Sequence, residues 1–283
     1  MALFGIRNWD KPGPGIDKDA PKPRAFFQFF LLFGRKFWKY MGLNMLYILF
    51  SLPQIAVLYF VFLYHIAPLI SSGLSNFSES ELSWASNAII LSCVTVWIAL
   101  CGTGPTSAGY VYILRNYSLE DHAWIWSDFR ERIKENFLPG LVVFGIDILV
   151  LLLSGIAFRF YGSTLGGLLG VFLQAFLVFC VCLYVIMHWY IYLLMIGYRI
   201  KTYHLYTNSF ILTMLQLPKN FGMFVILGGF LVVYHAIATV FWPILALSPT
   251  ILFSFITFAW VFYGWRQVKK NVSDETEVKR YEL

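Results

Sequence analysis

Two ionisable residues in neighbouring apolar runs are the best candidates for chemistry in this chain. Asp147 stands near the middle of one run, where a charged carboxylate costs roughly 2.5–3.5 kcal/mol on membrane-insertion scales. It lies 11 residues after Asn136, and His188 in the next run lies 11 residues before Arg199. In an antiparallel helical hairpin the two side chains would therefore meet at similar depth. Such a pair could relay protons or line a substrate site; the alternative, which we favour, is a hydrogen bond that locks two helices together.

The apolar runs that must position this pair are long enough to cross a membrane. Apolar residues make up 59% of the 283 residues and charged residues only 13%, which is about half the charged share of a soluble domain. A soluble protein of this length could not bury so many apolar side chains. The pattern predicts an all-α fold, a polytopic transmembrane helical bundle of about six spans. The predicted spans cover about 43–69, 85–104, 138–158, 164–196, 221–242 and 250–265.

The basic residues predict the orientation of the bundle. Eight Lys and Arg residues precede the first span, four lie between the second and third, three between the fourth and fifth, and five follow the sixth. Only Arg159, of the 21 basic residues, falls on the opposite side. Because basic residues accumulate on the cytoplasmic side of membrane proteins, both chain ends are predicted to be cytoplasmic.

We assign the transmembrane domain to residues 25–265. Two polar or amphipathic segments lie within it, and two others flank it. Residues 1–24 are rich in Pro and Gly and predict an extended cytoplasmic arm. Residues 25–40 predict a helix that lies in the membrane interface or packs under the bundle. Residues 118–137 predict a cytoplasmic amphipathic helix, and residues 266–283 predict a charged cytoplasmic tail.

The predicted helix 118–137 has a start signal and an apolar face. Ser118 and Asp121 fit a helix-start pattern of a capping residue followed by an acid at the third position. Trp126, Phe129 and Ile133 fall on one side of that helix. These three residues form a candidate cytoplasmic docking face for a partner.

Small and amide residues mark places where helices are expected to pack. Gly162, Gly166 and Gly170 repeat every four residues, which on a continuous helix forms one face that another helix can approach closely. Packing within the chain is favoured over packing against a partner. Asn44 and Asn87 are predicted to form hydrogen bonds between helices.

Sequence signatures of catalysis and of bound cofactors are missing from the chain. It contains no phosphate-binding GxxxxGK[ST] pattern, no HExxH and no GxSxG. Cys93, Cys101, Cys180 and Cys182 all stand in apolar runs and are interpreted as packing residues rather than as metal ligands or a disulfide. We therefore expect a non-enzymatic protein with no cofactor, no bound metal and no nucleic-acid partner.

Several short motifs give the chain a resemblance to a known family. The most specific block includes Gly104, Pro105 and Gly109. The other motif residues are Asn44-Met45-Leu46-Tyr47, Ser51-Leu52-Pro53, Tyr112 to Arg115, Trp126-Ser127-Asp128-Phe129, Glu135-Asn136-Phe137, Asn208-Ser209-Phe210 and Leu217-Pro218-Lys219-Asn220. With them the chain resembles the YesL-like family, multi-pass membrane proteins of Gram-positive bacteria known mostly as a domain of unknown function. The resemblance implies a location in the bacterial cell membrane and an association with carbohydrate ABC importers, and it carries no catalytic residues.

Three functional hypotheses follow from these observations. The first is a non-enzymatic membrane protein that assists ABC-type import of oligosaccharides by contacting the permease subunits, in addition to the lipid bilayer. The second is a self-contained proton-coupled transporter that uses Asp147. The third is an assembly or signalling protein that acts through its cytoplasmic helix. The sequence leaves the oligomeric state open.

Overall fold

The computed structural model describes residues 24–73, 78–241, 243–244 and 247–272, and every regular element within these ranges is helical. Ten α-helices follow one another, and a single π-helical turn precedes α7 and another precedes α10. Their bounds are α1 Ala25–Arg35, α2 Phe37–Gly73, α3 Glu79–Leu100, α4 Pro105–Ser118, α5 Ile125–Glu135, α6 Phe137–Phe160, α7 Gly167–Gly197, α8 Thr202–Leu215, α9 Leu217–Val240 and α10 Phe253–Asn271. The π-helical turns cover Tyr161–Leu165 and Ser248–Leu252.

Four helices in the described part of the chain are long and apolar enough to cross a membrane. They are Phe37–Pro68, Phe137–Leu165, Gly167–Gly197 and Leu217–Ala238. A fifth candidate is the pair Ala85–Leu100 and Pro105–Ser118, which meets at a bend of 53°. The structure therefore supports a multi-pass helical membrane protein with four or five candidate spans, whereas the apolar runs predicted about six.

Helix α10, which contains most of the predicted sixth span 250–265, falls outside these candidates. It is buried on several sides, with Ile256, Phe258 and Val261 completely covered. It contacts α1, α2, α3, α4, α7 and α8. A helix surrounded in this way belongs to the interior of the bundle. Its second half is more polar than its first, because the helix continues through Arg266, Lys269 and Lys270. The predicted tail 266–283 therefore begins inside a helix.

A break between α3 and α4 is a point where helices approach closely. Gly102 and Gly104 adopt φ angles of +87° and +76°, a region that only glycine occupies readily. Pro105 then begins α4 at the position where its missing N–H costs no hydrogen bond. A Cβ placed on Gly140 of α6 would stand 2.7 Å from the Pro105 Cα. The break at the Gly-Pro block is therefore also a contact between α4 and α6.

The predicted helix 118–137 is wrong in its first third. Ser118 ends α4 and its hydroxyl donates to the Arg115 carbonyl at 2.6 Å, so it does not cap a following helix. The chain then turns through Glu120, whose φ is +64°. Helix α5 begins at Ile125, where the Asp128 carboxylate accepts the Trp124 N–H at 2.9 Å. That acid satisfies one of the free N–H groups at the helix start, which Asp121 had been predicted to do.

The predicted helix 25–40 consists of two elements. Helix α1 ends at Arg35, and α2 begins at Phe37 and continues through the first predicted span. Phe29 and Phe33 of α1 pack on Phe255 and Phe258 of α10, with ring centroids 5.3–6.0 Å apart. Helix α1 therefore packs against the bundle with one face and exposes the other. Most of the predicted arm 1–24 and the end of the predicted tail lie outside the described residues.

Candidate functional site

Asp147 and His188 meet in the interior of the bundle, as the hairpin of α6 and α7 predicted. The His188 Nε2 lies 2.6 Å from the Asp147 Oδ1, and both side chains are fully buried. The Tyr184 hydroxyl donates to the same carboxylate oxygen, also at 2.6 Å. Tyr184 was missed from the sequence, although it stands one helical turn before His188 and therefore on the same side of α7.

The pair is chemically suited to hold one proton between a carboxylate and an imidazole. The carboxylate can accept the Nε2–H of either a neutral or a protonated imidazole, and in the second case the pair has no net charge. Neutrality matters here because an uncompensated charge in a membrane interior is costly. The Asp147 Oδ2 and the His188 Nδ1 have no hydrogen-bond partner among the described residues. Each partner therefore retains one polar atom for a further hydrogen bond.

A network of hydroxyl groups joins α2 to the break between α3 and α4. The Ser51 hydroxyl lies 2.9 Å from that of Thr103 and 2.8 Å from that of Thr106. The Tyr47 hydroxyl lies 3.0 Å from the Ser107 hydroxyl and accepts from the Thr103 hydroxyl at 3.0 Å. All five side chains are buried. Because hydroxyl groups can each donate and accept, this cluster satisfies its own polar atoms within the bundle.

Tyr192 connects the Asp147–His188 pair with that network. Its ring centroid lies 5.6 Å from that of His188, one helical turn earlier on α7. Its hydroxyl accepts the Gly104 N–H at 3.0 Å. Tyr192 therefore contacts the His188 ring with its own ring and the backbone of the break with its hydroxyl. It had no signal in the sequence beyond its spacing from His188.

Two further polar contacts tie helices together through asparagines. Asn44 of α2 accepts hydrogen bonds from Tyr110 of α4 and, at 2.6 Å, from Ser254 of α10. Asn87 of α3 accepts from Tyr59 of α2 at 2.6 Å. The prediction that Asn44 and Asn87 bond between helices is confirmed. Such bonds orient helices that share no hydrophobic driving force for association within lipid.

The three glycines at the outer end of α7 do not form the single helical face that their spacing predicted. Gly162 lies in the π-helical turn, Gly166 lies at a break with φ +52°, and Gly170 lies in α7. A Cβ on Gly170 would stand 2.5 Å from the Tyr161 carbonyl oxygen, and one on Gly162 would stand 2.6 Å from the Gln174 Nε2. These two glycines therefore permit the turn between α6 and α7 to fold tightly on itself.

The predicted docking face is largely covered by the chain itself. Phe129 is fully buried, and Ile133 is half-buried against Gly109 of α4. A Cβ on Gly109 would stand 2.7 Å from the Phe129 carbonyl oxygen, so α5 lies directly on α4 there. Trp126 is the member of the three that stays open, with 57% of its surface exposed. Phe129 is therefore corrected from a docking residue to a core residue.

The described residues contain no group of three His, Cys, Asp or Glu side chains placed to hold a metal ion. Comparison of the chain with family models, with curated proteins and with solved structures found no match. The site is therefore interpreted from its own geometry: a buried carboxylate–imidazole pair, linked through a tyrosine to a tightly packed helix break.

Proposed function

We propose that this chain is a six-span protein of the bacterial cell membrane, with both ends in the cytoplasm, that assists ABC-type import of oligosaccharides without catalysis of its own. The auxiliary role is supported by the way in which the buried polar groups bond one another. Asp147 bonds His188 and Tyr184, and the hydroxyl network around Ser51 and Thr103 is closed within the bundle. Polar groups that bond one another act as a structural lock between helices.

The importer as partner rests on the resemblance of the motif residues to the YesL-like family. Lipid-facing apolar side chains cover the first half of α7, where Leu168 is 88% exposed and Phe172 is 64% exposed. A permease subunit can pack on such a surface by shape, because lipid and protein side chains are equally apolar there. The proposed mechanism is lateral packing that steadies the permease during transport.

Reconstitution tests this function. Import of a labelled oligosaccharide is measured in proteoliposomes that contain permease, ATPase and binding protein from the same genome, with and without the chain. We expect import to rise several-fold when the chain is present. Import at full rate in its absence would contradict an essential auxiliary role.

The second candidate function is proton-coupled transport through Asp147. The observation that favours it is the buried pair, because a carboxylate and an imidazole 2.6 Å apart can exchange a proton as their surroundings change. Under this hypothesis Asp147→Asn abolishes transport while the amount of folded protein in the membrane stays the same. A structural lock predicts instead that activity and folded amount fall together.

A further inference from the structure

A cavity of about 630 Å³ opens at one end of the bundle, away from the buried pair. It lies between the end of α4, helix α5, the start of α6, the end of α7 and the start of α8. Its polar lining includes Tyr112, Arg115, Arg132, Glu135, Arg199 and Lys201. Under the proposed orientation this end of the bundle faces the cytoplasm.

The lining of this cavity has a strong excess of positive charge. Four cationic side chains, Arg115, Arg132, Arg199 and Lys201, face a single carboxylate, Glu135. Glu135 is already engaged, because it accepts a bond from the Arg132 Nη1 at 2.6 Å. Within the described ranges the other three cations have no carboxylate partner. Such a concentration of one charge sign in a concave site attracts anions.

Arg115 is the cation whose position most needs an anion. Its side chain is 7% exposed, and its Nε and Nη2 both donate to the Asn116 Oδ1, at 3.2 and 2.9 Å. Its guanidinium lies 4.9 Å from the ring centroids of both Tyr112 and Trp265. The amide and the rings hold the guanidinium in place and compensate its charge in part. A nearly buried cation without a negative partner is otherwise unfavourable.

Arg132 brings a second guanidinium to the same tyrosine. It lies 4.4 Å from the centroid of the Tyr112 ring, and its Nε is buried without a hydrogen-bond partner among the described residues. Two guanidinium groups within 5 Å of one ring place like charges near each other, and Glu135 compensates only that of Arg132.

The N-terminus of α8 lies at the edge of this cavity and adds partial positive charge beside it. Lys201 is the residue that precedes the 14-residue helix, and it lines the cavity together with Leu205 in the first turn. No side chain caps this helix start. The free N–H groups of a first turn carry partial positive charge and bind phosphate and similar anions in many proteins.

We propose that this cavity is a binding site for a phosphate group, carried either by a free anion or by the headgroup of an anionic phospholipid. The cavity lies beside the start of α8 and is lined by guanidinium groups and a lysine that come from different segments of the chain. A phosphate has enough oxygen atoms and charge to meet all of them, whereas a carboxylate has two oxygens in one plane. The site is independent of the importer hypothesis and of Asp147.

The test compares two double variants that remove the same charge. Arg199→Gln with Lys201→Gln removes two exposed cations of the cavity, and Arg130→Gln with Lys134→Gln removes two exposed cations of α5 that do not line it. Binding of inorganic phosphate to the full chain in detergent is measured by calorimetry. We expect the cavity variant to bind at least about tenfold more weakly and the control to stay within about twofold of the wild type. Arg115→Gln, if folded, should lose binding as well.

A second arm identifies the source of the phosphate. The chain is assembled in nanodiscs of phosphatidylcholine with or without phosphatidylglycerol, and native mass spectrometry records the lipids that it retains. Binding of inorganic phosphate that only the cavity variant loses supports a free anion. Retention of phosphatidylglycerol that only the cavity variant loses, without affinity for inorganic phosphate, supports a lipid headgroup. The proposal is overturned if neither probe binds, or if both double variants lose binding equally.

Discussion

Replacing Gly140 with alanine tests the close approach of α6 to the start of α4. The added Cβ would stand 2.7 Å from the Cα and 2.8 Å from the N of Pro105. Both are backbone atoms, so no side chain can rotate away, and α6 must move by roughly 1 Å to reach an ordinary contact of about 3.5–4 Å. Overpacking of this kind costs about 1–3 kcal/mol, and the rigid neighbour argues for the upper end of that range.

The matched control lies on the same helix. Gly145 is exposed, and a Cβ there would meet no atom within 4 Å. Alanine is favoured over glycine in a helix by about 1 kcal/mol, so Gly145→Ala should be neutral or stabilising. The same gain offsets part of the cost at Gly140, which leaves a net loss of about 2 kcal/mol for Gly140→Ala. At about 2–4 °C per kcal/mol this lowers its Tm by roughly 4–8 °C.

Thermal unfolding in a mild detergent, followed by tryptophan fluorescence, measures both variants against the wild type. We expect the Tm of Gly140→Ala to fall and that of Gly145→Ala to stay level or rise. If Gly140→Ala unfolds at or above the temperature of Gly145→Ala, the close contact between α6 and the start of α4 does not exist in the protein.

Three further predictions concern other parts of the chain. Asp147→Leu should lower the free energy of unfolding, measured by denaturation, by about 3–5 kcal/mol because it leaves His188 buried without its partner. Asp147→Asn keeps a hydrogen-bond acceptor and should cost less. Equal losses in the two variants would contradict the pairing. Gly109→Ala should push α5 off α4, because the new Cβ would stand 2.7 Å from the Phe129 carbonyl oxygen of α5. Limited trypsin digestion should then cut α5 faster than in the control Gly222→Ala, where a Cβ meets no atom within 4 Å. Burial lowers the pKa of Lys36 below 10.5, so the unfolded chain binds this proton more strongly, and the free energy of unfolding should rise as the pH approaches that value. A Lys36→Gln variant should lack this part of the rise when thermal unfolding is followed with increasing pH.

The contact between Asp147 and His188 was predictable because it depends on simple geometry. Two runs of opposite direction, each with a polar residue 11 positions from the same side, place those residues at one depth. The tyrosines around the pair were predictable in principle, since Tyr184 and Tyr192 stand one turn before and after His188. The sequence has many tyrosines in its apolar runs, and spacing alone does not distinguish these two from the rest.

The errors arose where tertiary packing decides between local signals. Ser118 and Asp121 match a helix start, yet Ser118 lies at the end of α4 and Asp128 serves the start of α5. Likewise the spacing of Gly162 and its neighbours assumes a continuous helix, which the π-helical turn Tyr161–Leu165 interrupts. Spacing alone does not report such a break, although Gly162 already lay in the gap 159–163 between two predicted spans.

The prediction of a docking face on α5 also failed because of tertiary packing. The periodicity of α5 correctly identifies an apolar side, but an apolar side can face a partner or the rest of the chain. Gly109 belongs to another helix, α4, and its lack of a side chain leaves a flat surface that covers Phe129. Only the three-dimensional arrangement shows that α5 is already docked.

Purification of the tagged chain from its native membrane, with mass spectrometry of the proteins that accompany it, tests the proposed function most directly. The detergent must be mild enough to keep a known importer of the same membrane intact. We expect an ABC-type permease for carbohydrates to be recovered in near-equal amount. Recovery of the chain alone under those conditions would contradict the auxiliary role and favour transport through Asp147.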